Sequence, residues 1–275
     1  MKEDTDDGLA GDGYLRHHRR LVGNDAGSLA PAEAGEQGMK GWLAFSRKSA
    51  RDHLAQGTQQ AMMGEYAKAL KSLTKALKQD PNLTEAYLHR GIAYLEMGRV
   101  DEALQDLNRA VARMPREPLA YYNRALAWVA LGDWARAEAD LERAVTLAPE
   151  DAASWNWLAI VRSQQGKVEE ALEAIERAIV LGDPAGERNR AIILEKAGRV
   201  EEALAAWSRY AAQGRAAEAY ARARRGLLLW RLGREKEAQD DLAWTWKRRR
   251  RLDSTVRAQL QEVRREMRCR MRPQE

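Results

Sequence analysis

The sequence predicts an all-α chain of about six stacked helical hairpins, followed by one more C-terminal helix. Three observations carry that reading. Glycines recur at Gly64, Gly98, Gly132, Gly166, Gly198 and Gly233, at spacings of 34, 34, 34, 32 and 35. Each is followed at fixed offsets by the same residue types. Beyond the last of these units, Leu252, Val256, Leu260, Val263, Met267 and Met271 advance three or four residues at a time, the period of one helix face.

Residues 1–38 are rich in Gly, Asp, Glu and Ala and have no sustained apolar period. Such a segment buries too little surface to offset the entropy of ordering, and is expected to be disordered. From Met39 the texture changes, and Met39, Trp42, Leu43, Ser46, Ala50, Leu54 and Ala61 take up helical spacing. The repeat array is expected over 39–250.

Within the array each feature has a physical reason. The glycine ends the first helix of a hairpin, because it enters the left-handed region without strain. Five residues later stands an alanine: Ala69, Ala103, Ala137, Ala171, Ala203, Ala238. Nine later stands a bulky residue: Leu73, Leu107, Leu141, Ile175, Trp207, Leu242. Twelve later come Ala76, Ala110, Ala144 and Ala178, then Tyr210 and Thr245. The alanines let two helices approach, and the bulky residue fills the space between them. Seventeen later, Pro81, Pro115 and Pro149 end the second helix, since proline lacks an N–H and clashes with the preceding turn. The fourth unit has Asp183 there, with Pro184 one residue late. One hairpin cannot bury its own apolar face, so neighbours must stack. The last segment, 251–275, reads as a basic amphipathic helix capped by Asp253 or Ser254.

Charge and composition exclude several functions. Lys+Arg total 46 and Asp+Glu 41, a net +5. Residues 247–275 hold eleven Lys/Arg and four Asp/Glu, which leaves the rest of the chain at −2. The basicity belongs to the tail. One cysteine, Cys269, excludes an internal disulfide and a Cys-rich zinc site. His17 and His18 adjoin but have no third ligand, and Gly8, Gly11 and Gly13 follow no strand. No catalytic constellation, metal site or cofactor is expected, and no small-molecule substrate. The acidic start carries no secretory signal pattern, and cytoplasmic residence is the expectation.

These residues resemble the tetratricopeptide repeat family over roughly 50–250. The second unit, with Tyr87, Gly91, Tyr94, Gly98, Ala103, Leu107, Ala110 and Pro115, is nearly a full signature. The fourth has Trp155 where the family favours Trp. The recurring spacing of 34 residues is also the length of this repeat. The resemblance implies a right-handed α-solenoid of tetratricopeptide hairpins with a C-terminal capping helix. It further implies a non-enzymatic scaffold or adaptor, binding a peptide or helix of a partner in a concave groove lined by the first helices. By register, Leu88, His89 and Ile92 line it from the second unit, and Tyr122, Asn123 and Leu126 from the third. Asn156, Trp157 and Ile160 follow from the fourth, then Arg188 and Asn189, and finally Arg224 and Trp230. Trp157 and Trp230 are expected to face the ligand. Asn123, Asn156 and Asn189 recur every 33 residues and suit a peptide backbone, since an amide both donates and accepts. The expected ligand has apolar anchors and an acidic end.

The subclass that clamps the C-terminal carboxylate of heat-shock chaperones needs a Lys and an Asn where this chain has Leu54 and Thr58, an Asn where it has His89, and Lys and Arg where it has Leu119 and Asn123. That clamp is missing. The fifth unit departs from the pattern, with Trp207 and Tyr210 at normally smaller sites, so its packing is not fixed by the resemblance. The alternative function is nucleic-acid or anionic-membrane binding through Arg248, Arg249, Arg250, Arg251, Arg264 and Arg265, which could meet phosphates. An acidic N-terminal stretch that competes for the groove is a third reading.

Overall fold

A computed structural model describes residues 48–270. The expectations placed on residues 1–47, His17 and His18 among them, and on Met271 lie outside the described residues. Thirteen α-helices are described, and no strand is found among the described residues. The fold class is the expected all-α solenoid of helical hairpins. Two compact units divide the chain, one ending at Gln165 and one beginning at Gly166.

The first unit contains α1 (Ala50–Met62), α2 (Tyr66–Gln79), α3 (Thr84–Glu96), α4 (Val100–Arg113), α5 (Pro118–Ala130), α6 (Trp134–Leu147) and α7 (Ala152–Gln164). Helices α1, α3 and α5 each pair with the following helix, and α2, α4 and α6 each pack on the next one. The helical spacing seen from Met39 onward does not extend one helix through 48 and 49. Ser49 caps α1 there, accepting from the Asp52 N–H while the Asp52 side chain accepts from the Ser49 N–H. Such a reciprocal box satisfies two of the free donors at a helix start. Further on, Asp133 caps α6 and Asp151 caps α7. Gly64, Gly98 and Gly132 hold φ between 71° and 77°. At Gly98 the turn closes through Gly98 N–H to Leu95 O and Arg99 N–H to Tyr94 O, both 2.9 Å.

The offsets now acquire contacts. Leu73, Leu107 and Leu141 are fully buried, as are the alanines around them. Facing Leu107 across the hairpin is Gly91, where an added Cβ would stand 2.8 Å from Leu107 Cγ. Gly57 stands to Leu73 in the same way, at 2.6 Å. Glycine is required at these sites by the close approach of two helices.

Two polar features repeat with the hairpins. Arg90 on α3 donates to both carboxylate oxygens of Asp106 on α4, at 2.6 and 2.9 Å, and reaches Thr74 Oγ1 on α2 at 3.4 Å. One repeat later, Arg124 holds Asp140 at 2.8 and 2.7 Å and Asn108 at 3.0 Å. A two-pronged guanidinium–carboxylate pair fixes orientation as well as distance. It ties a hairpin together and to the hairpin before it. The loops are closed by ring donors: Tyr87 OH to Pro81 O at 3.2 Å, Tyr121 OH to Pro115 O at 3.3 Å, and Trp155 Nε1–H to Pro149 O at 2.9 Å. Trp155 thus does with an indole N–H what two tyrosines do with a hydroxyl.

The second unit contains α8 (Val168–Val180), α9 (Gly186–Lys196), α10 (Val200–Ala211), α11 (Arg215–Arg231), α12 (Glu235–Arg248), a short 3-10 turn (Arg249–Arg251) and α13 (Ser254–Arg270). Hairpins α9–α10 and α11–α12 form as expected. The clasp recurs once in full, with Arg225 holding Asp241 at 2.5 and 2.9 Å and Ser208 Oγ at 2.7 Å. The shortened spacing of the fifth hairpin is absorbed by an additional turn glycine, Gly182 at φ 83°, and by an eleven-residue α9. Asp253 caps α13, accepting from Val256 N–H at 2.8 Å. The stripe of α13 is buried at Leu252, Val256, Leu260 and Val263, in one cluster with Ala219, Ala223, Leu227 and Trp230 of α11.

Candidate functional site

In the first unit the predicted lining comes from α3, α5 and α7, two adjacent register positions per helix followed by a third one turn on. The two positions are Leu88 and His89, Tyr122 and Asn123, Asn156 and Trp157; the third are Ile92, Leu126 and Ile160. Shifted back by one repeat, the two positions fall on Leu54 and Ala55 of α1. A hollow of ≈ 550 Å³ opens there, lined by Arg51, Leu54 and Ala55 of α1, Thr84 and Glu85 of α3, the loop residues Asp80, Asn82 and Leu83, and Met114. Sequence reasoning placed Leu54 in the helical spacing of the first helix and in the missing clamp, and did not find this opening. The signal was available, because Leu54 and Leu88 share a register.

Accessibility divides the predicted residues. His89 and Trp157 are half-buried. Leu88, Ile92, Tyr122, Leu126 and Ile160 are buried at 3–6% exposure. The amide ladder is corrected by burial. Asn123 has no exposed surface, and its Nδ2 donates to Leu119 O one turn back at 2.7 Å. Asn189 is likewise buried, and Asn156 nearly so. Buried to this degree, the three amides do not form an open ladder.

At the end of α3, Glu96 is half-buried and accepts from the Tyr66 hydroxyl at the start of α2. Burial raises its carboxyl above the ordinary carboxylate range, and the hydrogen bond from Tyr66 opposes that rise only in part. Burial also raises the Tyr66 hydroxyl. This pair was not legible from spacing.

In the second unit, Arg188 and Asn189 stand on α9 and Arg224 and Trp230 on α11. The Trp207 indole N–H donates to the Glu195 carboxylate, which also holds Arg224 at 2.8 Å. Trp207, Tyr210 and Tyr220 pack ring to ring at centroid distances of 5.8–6.5 Å. Burial raises the Tyr220 hydroxyl, while Arg224 and Arg188 pull it the other way. Arg224 is therefore engaged by a carboxylate of its own unit. Trp230 is also corrected. It is 8% exposed, enclosed in the cluster that receives α13. A face of α11 that the groove reading left open is covered by the terminal helix.

The tail arginines are not uniformly presented. Arg248 stacks on Trp244 at 4.0 Å, and Arg249 and Arg264 lie over Trp246 at 4.5 and 3.8 Å. Arg250 and Arg265 are exposed. Arg251 lies in the 3-10 turn. Among the described residues no group of three or more His, Cys, Asp or Glu could hold a metal ion, and no helix is long and apolar enough to cross a membrane.

Consecutive hairpins crossing at a small and a bulky residue, with left-handed turn glycines and proline-ended second helices, define a helical-repeat protein. Two family models, each described as tetratricopeptide repeat, match residues 60–128 and 122–186. Over residues 60–186 the chain is built of tetratricopeptide repeats. Among solved structures it is similar to TTC0263, a thermophilic TPR protein in Thermus thermophilus, at 28% identity and a TM-score of 0.50, over 58% of this chain and 89% of that one. It is similar to MamA at 25% identity and a TM-score of 0.52, over 58% and 88%. A tetratricopeptide repeat protein from Parabacteroides merdae ATCC 43184 shares the fold at 21% identity and a TM-score of 0.59, over 82% and 90%. No curated protein matches the sequence. Repeats of this family generally mediate protein–protein interactions.

Proposed function

We propose that the chain is a non-enzymatic adaptor whose first unit holds a peptide or helix of a partner protein along α1, α3, α5 and α7. The observation that supports this most is the ≈ 550 Å³ hollow at Leu54 and Ala55, where Ala55 holds the register position of His89 and Trp157. An open space with accessible ring side chains in register suits apolar anchors. The acidic end expected of the ligand rested on Arg188 and Arg224. With Arg224 engaged by Glu195, that end has no part in the proposal.

Filling the hollow tests it. Ala55 is exposed on α1, so Ala55→Arg obstructs the space without disturbing the core. Combined with Trp157→Ala, it is expected to weaken partner capture about tenfold or more, with unchanged helicity by circular dichroism. If affinity purification with the double variant recovers the same partners in the same amounts, the trough does not bind them. The alternative, a phosphate-binding tail, has less support once Arg248, Arg249 and Arg264 are stacked on indoles.

A further inference from the structure

In each unit the second helix of a hairpin is covered by the first helix of the next; α11, for instance, packs on α10. Helix α12 is the exception in the second unit. Its successor α13 packs chiefly on α11, and a groove of ≈ 450 Å³ is left between α12 and α13. Leu242, Ala243 and Trp246 line one wall, and Leu260, Val263 and Met267 the other. Ala243 is exposed and Trp246 and Met267 are half-buried.

The charge lining this groove has one sign. Lys247 and Arg264 are the only ionisable residues among the described residues that line it, and none there is acidic. Both stand on the Trp246 side: Arg264 lies 3.8 Å from the ring centroid, and Lys247 follows Trp246 in sequence. Arg249 lies over the same ring at 4.5 Å. Lys247 opens a run of five cations through Arg251. An apolar channel with two helical walls takes the side chains of a third helix. A cationic rim favours carboxylates on that helix and disfavours lysines.

We propose that the α12–α13 groove docks an amphipathic helix of a partner protein, with apolar residues on one face and Glu or Asp at its flank beside Lys247. Trp246 is the anchor surface, and the site is separate from the trough of the first unit. A membrane or nucleic acid is disfavoured as occupant, because neither supplies a row of apolar side chains matched to a two-walled channel.

The test uses the full chain and a fluorescent synthetic helix carrying leucines at positions i, i+3, i+4 and i+7 with flanking glutamates. Two controls accompany it: a permuted peptide of the same composition, and a version with lysine for each glutamate. The acidic helix should bind and both controls should not. Ala243→Trp, which fills the channel from an exposed position, should weaken binding about tenfold or more. Lys247→Glu should weaken it severalfold and restore binding of the lysine version. Hydrogen exchange should slow over 239–247 and 260–267 when the acidic helix is added. Ala55→Arg with Trp157→Ala should change none of this. The proposal fails if the parent chain does not bind the acidic helix, if the permuted peptide binds as well, or if Ala243→Trp binds with parental affinity. It also fails if phosphatidylserine vesicles or duplex DNA bind and only those are weakened by Lys247→Glu.

Discussion

In the first unit, hairpins α1–α2 and α3–α4 each cross at a glycine and a leucine, Gly57 with Leu73 and Gly91 with Leu107. In the second unit, hairpin α9–α10 has Ala191 and Trp207 at the same register, and both are fully buried. The repeat offset fixes where a bulky side chain goes but not how large it is. A larger one is accommodated when its polar atom is also provided for. Trp207 brings an N–H into a dry interior, and Glu195 accepts it; Arg224 then satisfies the carboxylate. Leucine makes no such demand, and the first unit has no equivalent trio among its described residues at that offset. Hairpin α9–α10 has therefore traded a purely apolar crossing for an aromatic cluster with a polar arm, while α11–α12 in the same unit keeps a glycine against a leucine, Gly226 with Leu242.

The sharpest way to break this comparison is Trp207→Ala. Loss of a large buried aromatic with incomplete collapse of the site costs about 3–5 kcal/mol. Here it also removes the donor that Glu195 accepts from. Urea unfolding of the full chain should lose most of the stability of the second unit, with hydrogen exchange accelerating first over 186–231. A loss below about 1 kcal/mol would show that the ring cluster is not what holds α9, α10 and α11 together. Trp207→Leu, which restores the residue of the first unit, should cost less than alanine. It should still cost something, because Glu195 loses a donor.

The clasp offers a second comparison, since it is the same in both units. Asp106 and Asp241 are 2–3% exposed and hold arginines that are themselves largely covered. Asp106→Ala removes two charge-assisted hydrogen bonds, at a cost of about 2–3 kcal/mol. Asp241→Ala should cost at least as much, because Asp241 serves Arg222 as well as Arg225. Equal, negligible losses at both positions by urea unfolding would mean that the guanidinium swings to solvent at no cost and that the repeating pair is ornamental.

Why these features differed in legibility from sequence follows from what each depends on. The hairpins were legible because turn, crossing and stop each depend on local residue type: a glycine with positive φ, a small residue against a bulky one, a proline. The clasp was also within reach, with arginine eight residues before the turn glycine and aspartate eight after it at Arg90 and Asp106, Arg124 and Asp140, Arg225 and Asp241. It was hidden because nearly a third of the chain is charged. The candidate site was legible only by helix and face. Whether a side chain on that face meets a ligand or the next hairpin is decided by packing between repeats, which no single helix encodes. Asn123 and Trp230 show this. Both have the correct register, yet one is closed off by its neighbours and the other by α13.

The smallest expected effect compares two glutamates near the ends of first helices. Glu195 in the second unit has a guanidinium at 2.8 Å. Glu96 in the first has a neutral donor, Tyr66, and burial dominates, so its carboxyl lies above the ordinary range. A raised carboxyl takes up a proton on folding at pH values between its unfolded and folded pKa. The stability this provides is fully present below the unfolded value and is lost as pH rises through the folded one. At neutral pH, Glu96 is thus a net burden on the first unit. Glu96→Gln keeps an acceptor for Tyr66 and removes the ionisable group, so it should stabilise the chain at neutral pH by less than either loss above. The difference should vanish below about pH 4, where the parent carboxyl is protonated in both states. Urea unfolding across pH reads both limbs. If Glu96→Gln is instead less stable than the parent at neutral pH, the ionised carboxylate gains more from the Tyr66 hydroxyl than burial takes away, and the contrast with Glu195 disappears. Tyr66→Phe separates the two cases: with the donor gone, the benefit of Glu96→Gln at neutral pH should grow if burial dominates.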